Sequence, residues 1–181
     1  YVPPQELDKF IDISRFMAYP SKKVILEKDS LRRKAFLILK GSVRGYIINK
    51  EGKEKNILLR SEGIFVGDAA TLFTGSPQRL IIESLNESEV LLFNFEDFER
   101  LAHSSPLIME LYLNSLKEAV LRLTYRIDSM ITMTNEERYL DLLQMNPIFL
   151  KDAFDKHIAN FLGITPVSLS RIKKRLKKPS N

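Results

Sequence analysis

His157-Ile158-Ala159-Asn160-Phe161-Leu162-Gly163-Ile164-Thr165-Pro166-Val167-Ser168-Leu169-Ser170-Arg171-Ile172 reads as two short helices joined by a tight turn. Ala159 is small where a second helix crosses closely, Gly163 tolerates the positive φ of the turn, and Ile164 fills the corner. Thr165 is placed to cap the second helix and Pro166 to start it, with Leu169, Ile172 and Leu176 expected to face the first. Pro166, Val167, Ser168, Ser170, Arg171 and Lys174 are then left outward. A helix offered to the major groove needs short residues at its N-terminus, a guanidinium for guanine and cations beyond for phosphates. Ser168, Ser170 and Arg171 are the candidates to read bases, while Lys156, Lys173, Lys174, Arg175 and Lys177 suit phosphate contacts.

The charge distribution agrees with this assignment. The 181 residues carry 28 Lys+Arg against 23 Asp+Glu, a net charge of +5. Seven of the cations, Lys156, Arg171, Lys173, Lys174, Arg175, Lys177 and Lys178, follow Asp155, the last acid. The first 155 residues hold 21 cations against all 23 acids and are close to neutral. Such asymmetry points to a polyanion partner for the C-terminal segment, most often nucleic acid, or to a solvated basic tail, and the helix-turn-helix pattern decides for double-stranded DNA.

Upstream, Thr134-Asn135-Glu136-Glu137 has the spacing of a capping box and opens a helix through Leu140, Leu142 and Leu143 that Asn146-Pro147 stops. Before it, Ser105 suits an N-cap and Pro106 a first helical position for a long helix of about 26 residues, or ~39 Å. Its Met109, Tyr112, Leu116, Ala119, Leu123 and Met130 follow 3-4 spacing, broken where Arg126 and Ile127 compete. A helix longer than a small domain can cover is read as a homodimer seam rather than as packing wholly on its own chain. From Val24 to about Asn94 the sequence alternates short β-rich runs with turns at Gly41, at Asn49–Gly52 and at Asn86–Ser88, and an amphipathic helix, about Gln5 to Phe16, precedes them. Two modules are expected, 1–133 and 134–181.

Other classes find little support. The chain holds no cysteine, which excludes disulfides, thiolate nucleophiles, Cys-ligated zinc and iron-sulfur sensing, and a reducing cytoplasm fits best. No metal motif or catalytic residue is assigned: His103 is expected in a loop and His157 at the helix-turn-helix, and no triad or phosphate-binding glycine loop occurs. Glu96, Asp97 and Glu99 resemble a solvated helix start. No apolar run is long enough for a bilayer and Tyr1-Val2-Pro3-Pro4 lacks leader character, so no membrane or export is expected; the missing initiator Met suggests a trimmed chain.

A β-roll, a long helix and a C-terminal helix-turn-helix, in that order, resemble the Crp/Fnr family of bacterial transcription regulators. The resemblance is carried by Ile38-Leu39-Lys40-Gly41-Ser42-Val43, by Gly63-Ile64-Phe65-Val66-Gly67-Asp68, and by Ile158–Thr165 with Ser170-Arg171-Ile172. It implies an α+β fold, a cyclic-nucleotide-binding-like jelly roll joined to a dimerisation helix and a helix-turn-helix domain. It also implies a dimeric DNA-binding regulator, with RNA polymerase a further potential partner. Family members that bind cyclic nucleotides show Gly-Glu and then Arg with a small hydroxyl residue. This chain has Gly67 and Asp68, then Gln78, with Arg79 one residue late and Leu80 after it, and Leu123-Thr124 where two hydroxyl residues meet the base. A one-residue slip in a strand turns a side chain to the opposite face. The sensor is therefore expected not to bind cAMP or cGMP in the usual way, the alternatives being binding through Gly67, Asp68, Arg79 and Thr124, or a module that has lost DNA binding. Ending at Asn181, the sequence leaves no room for the family's β-hairpin wing.

Overall fold

The computed structural model describes residues 3–145, 149, 151 and 153–176. The elements in chain order are α1 (Pro4–Asp12), β1 (Ser14–Tyr19), β2 (Val24–Leu26), β3 (Lys34–Lys40), β4 (Ser42–Ile48), β5 (Glu54–Ser61), β6 (Phe65–Val66) and α2 (Ala69–Thr74). They are followed by β7 (Ile81–Ser84), β8 (Ser88–Asn94), α3 (Phe95–Ser104), α4 (Pro106–Thr132), α5 (Asn135–Met145), α6 (Asp155–Leu162) and α7 (Pro166–Leu176). Two antiparallel four-stranded sheets, in the orders β1-β8-β3-β6 and β2-β7-β4-β5, face one another as a roll. Phe36, Ile38, Val43, Ile82 and Val90 fill the space between them.

The chain changes sheet at Gly41, where β3 hands over to β4, and again between β7 and β8. These two corners press together: a Cβ on Gly41 would lie 2.5 Å from the Glu87 carbonyl oxygen, and its φ is +88°. Asn86 Oδ1 accepts from the Ser42 amide at 2.8 Å and ties the corners. The expected turn residues thus have a topological job as well as a local one.

The first helix stops at Asp12, four residues before the expected end. Phe10, Ile13 and Phe16 fall at three-residue intervals and mimic helical spacing, but Ser14–Tyr19 pairs residue for residue with β8. Phe10 turns into an aromatic cluster with Phe93 and Phe98 at centroid separations of 5.2 and 5.8 Å. His103, expected in a loop, lies exposed in the last turn of α3.

The long helix α4 runs for 27 residues, about 40 Å, with Ser105 Oγ accepting from the Ile108 amide at 3.3 Å. Its inner stripe begins with buried Ile108 and with Tyr112, which meets Phe98 edge-on at 5.5 Å. Farther along, the same stripe passes through Ala119, Arg122 and Arg126 beside β5 and α6. The outward stripe is different: Val120 is 62% exposed, Leu123 60% and Ile127 51%. Together with Leu113, Leu116 and Met130 these residues keep an unbroken 3-4 spacing. The sequence reading therefore mixed two faces, because Tyr112, Ala119 and Arg126 turn toward their own chain. Arg126, which sat poorly in a seam, lies 3.8 Å over the Phe161 ring and donates to the Phe161 carbonyl.

At Met133 the backbone leaves helical geometry, and the capping box forms as expected: the Thr134 amide donates to Glu137 at 2.7 Å and the Glu137 amide to Thr134 Oγ1 at 3.3 Å. The expected stop at Asn146-Pro147 lies outside the described residues. No helix is long and apolar enough to cross a membrane among the described residues.

Candidate nucleic-acid interface and sensor pocket

The helix pair α6–α7 is anchored by its apolar face. Ile158, Ala159, Leu162, Leu169 and Ile172 are buried with Tyr139, Leu142 and Phe149, and the cluster continues into the roll through Leu59 and Leu85. Gly163 closes the turn with φ +73°, and the Ile164 amide reaches back to the Ala159 carbonyl at 2.9 Å. Thr165 caps α7 by accepting from the Ser168 amide at 3.1 Å. Leu176 departs from the expected packing: it is exposed, one turn beyond buried Ile172.

With Leu169 and Ile172 inward, helical geometry sends Pro166, Val167, Ser170, Arg171 and Lys174 to the exposed face, with Ser168 half-buried at its edge. The cations on this helix are not equivalent. Lys173 is paired with Asp155 and Arg175 with Glu136. Arg171 and Lys174 form no ion pair with a described residue, which leaves their charge available to a phosphate or a base edge. Lys156 is exposed at the start of α6, and Lys177 lies outside the described residues.

A link that sequence reasoning missed fastens this module to the roll. Asn160 on α6 donates from Nδ2 to the Glu54 carbonyl at 2.8 Å and accepts on Oδ1 from the Asn56 amide at 2.7 Å. One side-chain amide thus copies a strand partner along the open edge of β5. Asn56 answers from its own side chain, donating to the His157 carbonyl at 2.9 Å. Behind it Arg44, buried in β4, meets Glu54 at 2.6 Å and Glu83, its cross-strand neighbour, at 3.0 Å. A half-buried Asn in an amphipathic helix was the only available signal.

His157 lies buried at this junction, and burial, aided by the nearby Arg44 and Lys156 charges, pushes its imidazole down from 6.5 to about 4. A depressed histidine favours the neutral folded form. Stability is then fully present above pH 6.5 and declines as pH falls from 6.5 toward 4, because the unfolded chain takes up the proton first. Thermal midpoints measured across that window are expected to fall more steeply in the native protein than in His157→Phe.

The sensor residues assigned from sequence are not gathered around one cavity. Gly67 is closely packed, since a Cβ there would lie 2.6 Å from Leu72 Cδ1 and 3.3 Å from the Ala35 Cβ. Asp68 caps α2 through Oδ1, which accepts from the Ala70 amide at 3.1 Å. Its Oδ2 accepts from the Arg79 and Leu80 amides at 2.9 and 3.0 Å. The carboxylate therefore occupies a small nest of backbone donors of the kind that an anion seeks. Gln78 is buried and donates to the Leu80 carbonyl at 2.8 Å, while the side chains of Arg79 and Thr124 are exposed. Gly67 lines a cavity of about 240 Å³ between β6 and α4, with Arg60 and Arg122 but without Asp68, Arg79 or Thr124.

Glu96 and Glu99, candidates for nothing more than a helix start, pair with Arg33 at 3.3 and 2.9 Å. No grouping of His, Cys, Asp and Glu fit to hold a metal ion occurs among the described residues.

Residues 16–105 match the family described as Cyclic nucleotide-binding domain. The cAMP-activated global transcriptional regulator CRP of Salmonella typhimurium is 25% identical over 103 residues, covering 57% of this chain and 49% of that protein. Its counterpart in Pasteurella multocida is 24% identical over the same length. The chain thus spans about half the length of the curated relatives it matches. Among solved structures, the c-di-GMP responsive global regulator CLP of Xanthomonas campestris superposes with a TM-score of 0.76 at 16% identity, over 97% of this chain and 92% of that one. FixK2 from Bradyrhizobium japonicum gives 0.76 at 17% identity, over 91% and 84%.

Proposed function

Residues 16–105 belong to the cyclic nucleotide-binding domain family and the chain is of the Crp/Fnr type, and from that premise we propose that the protein is a dimeric, DNA-binding transcription regulator of the cytoplasm. The observation that carries this reading is the outer face of α7, where exposed Arg171 and Lys174 stand free of the acids that hold Lys173 and Arg175. Pro166, Val167, Ser168 and Ser170 precede or flank them as short residues that permit close approach to base edges. Lys156, Lys173, Lys174, Arg175 and Lys177 are assigned to the phosphates, the paired ones exchanging a carboxylate for a phosphate on contact. Retention of the chain on duplex DNA tests the reading. Retention should fall log-linearly with salt, by a slope of about −0.9 for each phosphate neutralised. Salt-independent retention, or none at low salt, would refute it.

The pairing surface is the outward stripe of α4, Leu113, Leu116, Val120, Leu123, Ile127 and Met130. Six apolar residues at 3-4 spacing on a helix of this length fit a two-stranded coiled-coil seam. Ile127→Glu is expected to weaken dimerisation about a hundredfold or more, since it buries two like charges face to face. Tyr112→Phe should leave the oligomeric state untouched. Light scattering across a concentration series distinguishes the two, and a monomeric native chain would contradict the assignment.

As to the sensor, the Arg79 side chain is exposed and the Arg79 and Leu80 amides are taken by Asp68, which supports a regulator that does not bind cAMP or cGMP in the usual way.

A further inference from the structure

Two segments on the surface of the roll are tied to one another: the turn between β2 and β3, and the stretch that runs from α2 to β7. The Asp29 amide donates to the Gln78 carbonyl at 2.7 Å, and the Gln78 amide to the Ser30 carbonyl at 2.9 Å. Asp29 takes a left-handed backbone, φ +62°, and the bonds on either side of it fix that turn. Farther on, Arg33 Nε donates to the Leu72 carbonyl at 2.7 Å, and its guanidinium lies 5.4 Å over the Phe95 ring. Leu31 and Arg32 are thus held from both sides, between one residue bound to Gln78 and another bound to Leu72.

What this clamp displays is both apolar and charged. Leu31 is 68% exposed and Phe73 50%, although Phe73 leans edge-on against Phe95 at 5.5 Å. The fold leaves both in water, and each gains from removal from it. The acids nearby are matched: Asp29 by Lys28 at 3.5 Å, and Glu96 and Glu99 by Arg33 at 3.3 and 2.9 Å. Arg32 and Arg79, both exposed, form no ion pair with a described residue. The alternation that buries Gln78 sends the Arg79 side chain outward, onto this surface.

We propose that this surface docks an acidic segment of another protein, with an apolar anchor of that segment against Leu31 and Phe73 and its carboxylates on Arg32 and Arg79. Aromatic and Arg side chains are those that interface cores favour, and a guanidinium takes a carboxylate through two parallel bonds. Charge complementarity sets the sign of the partner, since the cations here are the unmatched groups. A membrane surface fits less well, because anionic lipid is drawn to clusters of about 4–8 cations. Duplex DNA fits less well too, because its phosphates would leave Leu31 and Phe73 without an apolar contact. The surface shares no residue with the cavity beside Gly67, with the outward stripe of α4 or with α7, and it does not rest on the DNA-binding reading.

Fluorescence anisotropy of a labelled peptide, Asp-Glu-Asp-Phe-Leu-Asp-Glu-Asp, with the full chain tests the surface. Two control peptides run beside it, one with Asn and Gln in place of the acids and one with Ser in place of Phe and Leu. The acidic peptide with its apolar pair should bind about tenfold or more tightly than either control. Arg32→Glu and Arg79→Glu should each lower that affinity about tenfold, and Leu31→Ser and Phe73→Ser about threefold or more. Arg100→Glu on α3 and Arg171→Glu on α7 should leave it unchanged. All four side chains at the surface are exposed, so their variants are expected to fold, which circular dichroism checks. No binding at millimolar peptide, equal binding of the three peptides, or a loss that follows Arg171→Glu and not Arg32→Glu or Arg79→Glu would overturn the proposal. So would retention of phosphatidylserine vesicles or of duplex DNA that Arg32→Glu and Arg79→Glu abolish while peptide binding persists. Retention on DNA is measured separately, so failure of the peptide to bind leaves the DNA-binding reading standing.

Discussion

Asp68→Ala is expected to lower the thermal midpoint by about 6–12 °C. The carboxylate accepts from three backbone amides, those of Ala70, Arg79 and Leu80, and Asp68 is itself buried. The Leu80 amide, whose bond is buried, costs about 1–3 kcal/mol when left without a partner, and loss of the α2 cap through the Ala70 amide adds about 1 kcal/mol. A total near 3 kcal/mol in a chain of this size corresponds to the stated shift. Asp68→Asn, whose one carbonyl oxygen can satisfy part of the set, should fall between. A midpoint within 1 °C of the native protein in the alanine variant would mean that water serves these amides, and that the nest is open to a ligand after all.

Arg171→Ala should weaken binding to the specific site by about 30-fold or more while leaving binding to random DNA nearly unchanged. A good bidentate contact to a base discriminates by about 1–3 kcal/mol, and a dimer makes it twice. Lys174→Ala should behave otherwise, weakening specific and random binding alike and reducing the salt slope by about one per protomer. Lys177, outside the described residues, is expected to follow Lys174. Equal losses on the two kinds of DNA for Arg171 and Lys174 would refute the division between reading and positioning.

Much of this was legible in the sequence because the signals were local. Ser105, Thr134 with Glu137, Gly163 and Thr165-Pro166 each mark a helix boundary through a bond or a backbone angle made within four residues. The β-runs between Val24 and Phe93 likewise declare themselves by composition and turn spacing. What was not legible depends on partners distant in sequence. The seam of α4 could be read in two registers, and only the placement of Phe95 and Phe98 beneath Tyr112 decides which face is spent on the roll. Strand β1 shares the spacing of a helix until β8 lies beside it. Asp68 reads as a ligand-binding candidate and Asn160 as an ordinary polar residue, and their structural roles come from amides 11 to 12 and about 104 positions away. Charge legibility was intermediate. The basic C-terminus was plain, but its division into paired Lys173 and Arg175 and, among the described residues, unpaired Arg171 and Lys174 required the positions of Asp155 and Glu136.

The central claim is that α7 reads DNA from a paired chain. Selection of bound duplexes from a random pool by the full chain tests it most directly. The account predicts enrichment of an inverted repeat whose half-site centres lie about one helical turn, roughly 10 bp, apart, and loss of that enrichment in Arg171→Ala. Retention of DNA with no sequence enriched, or enrichment that Arg171→Ala preserves, would contradict it.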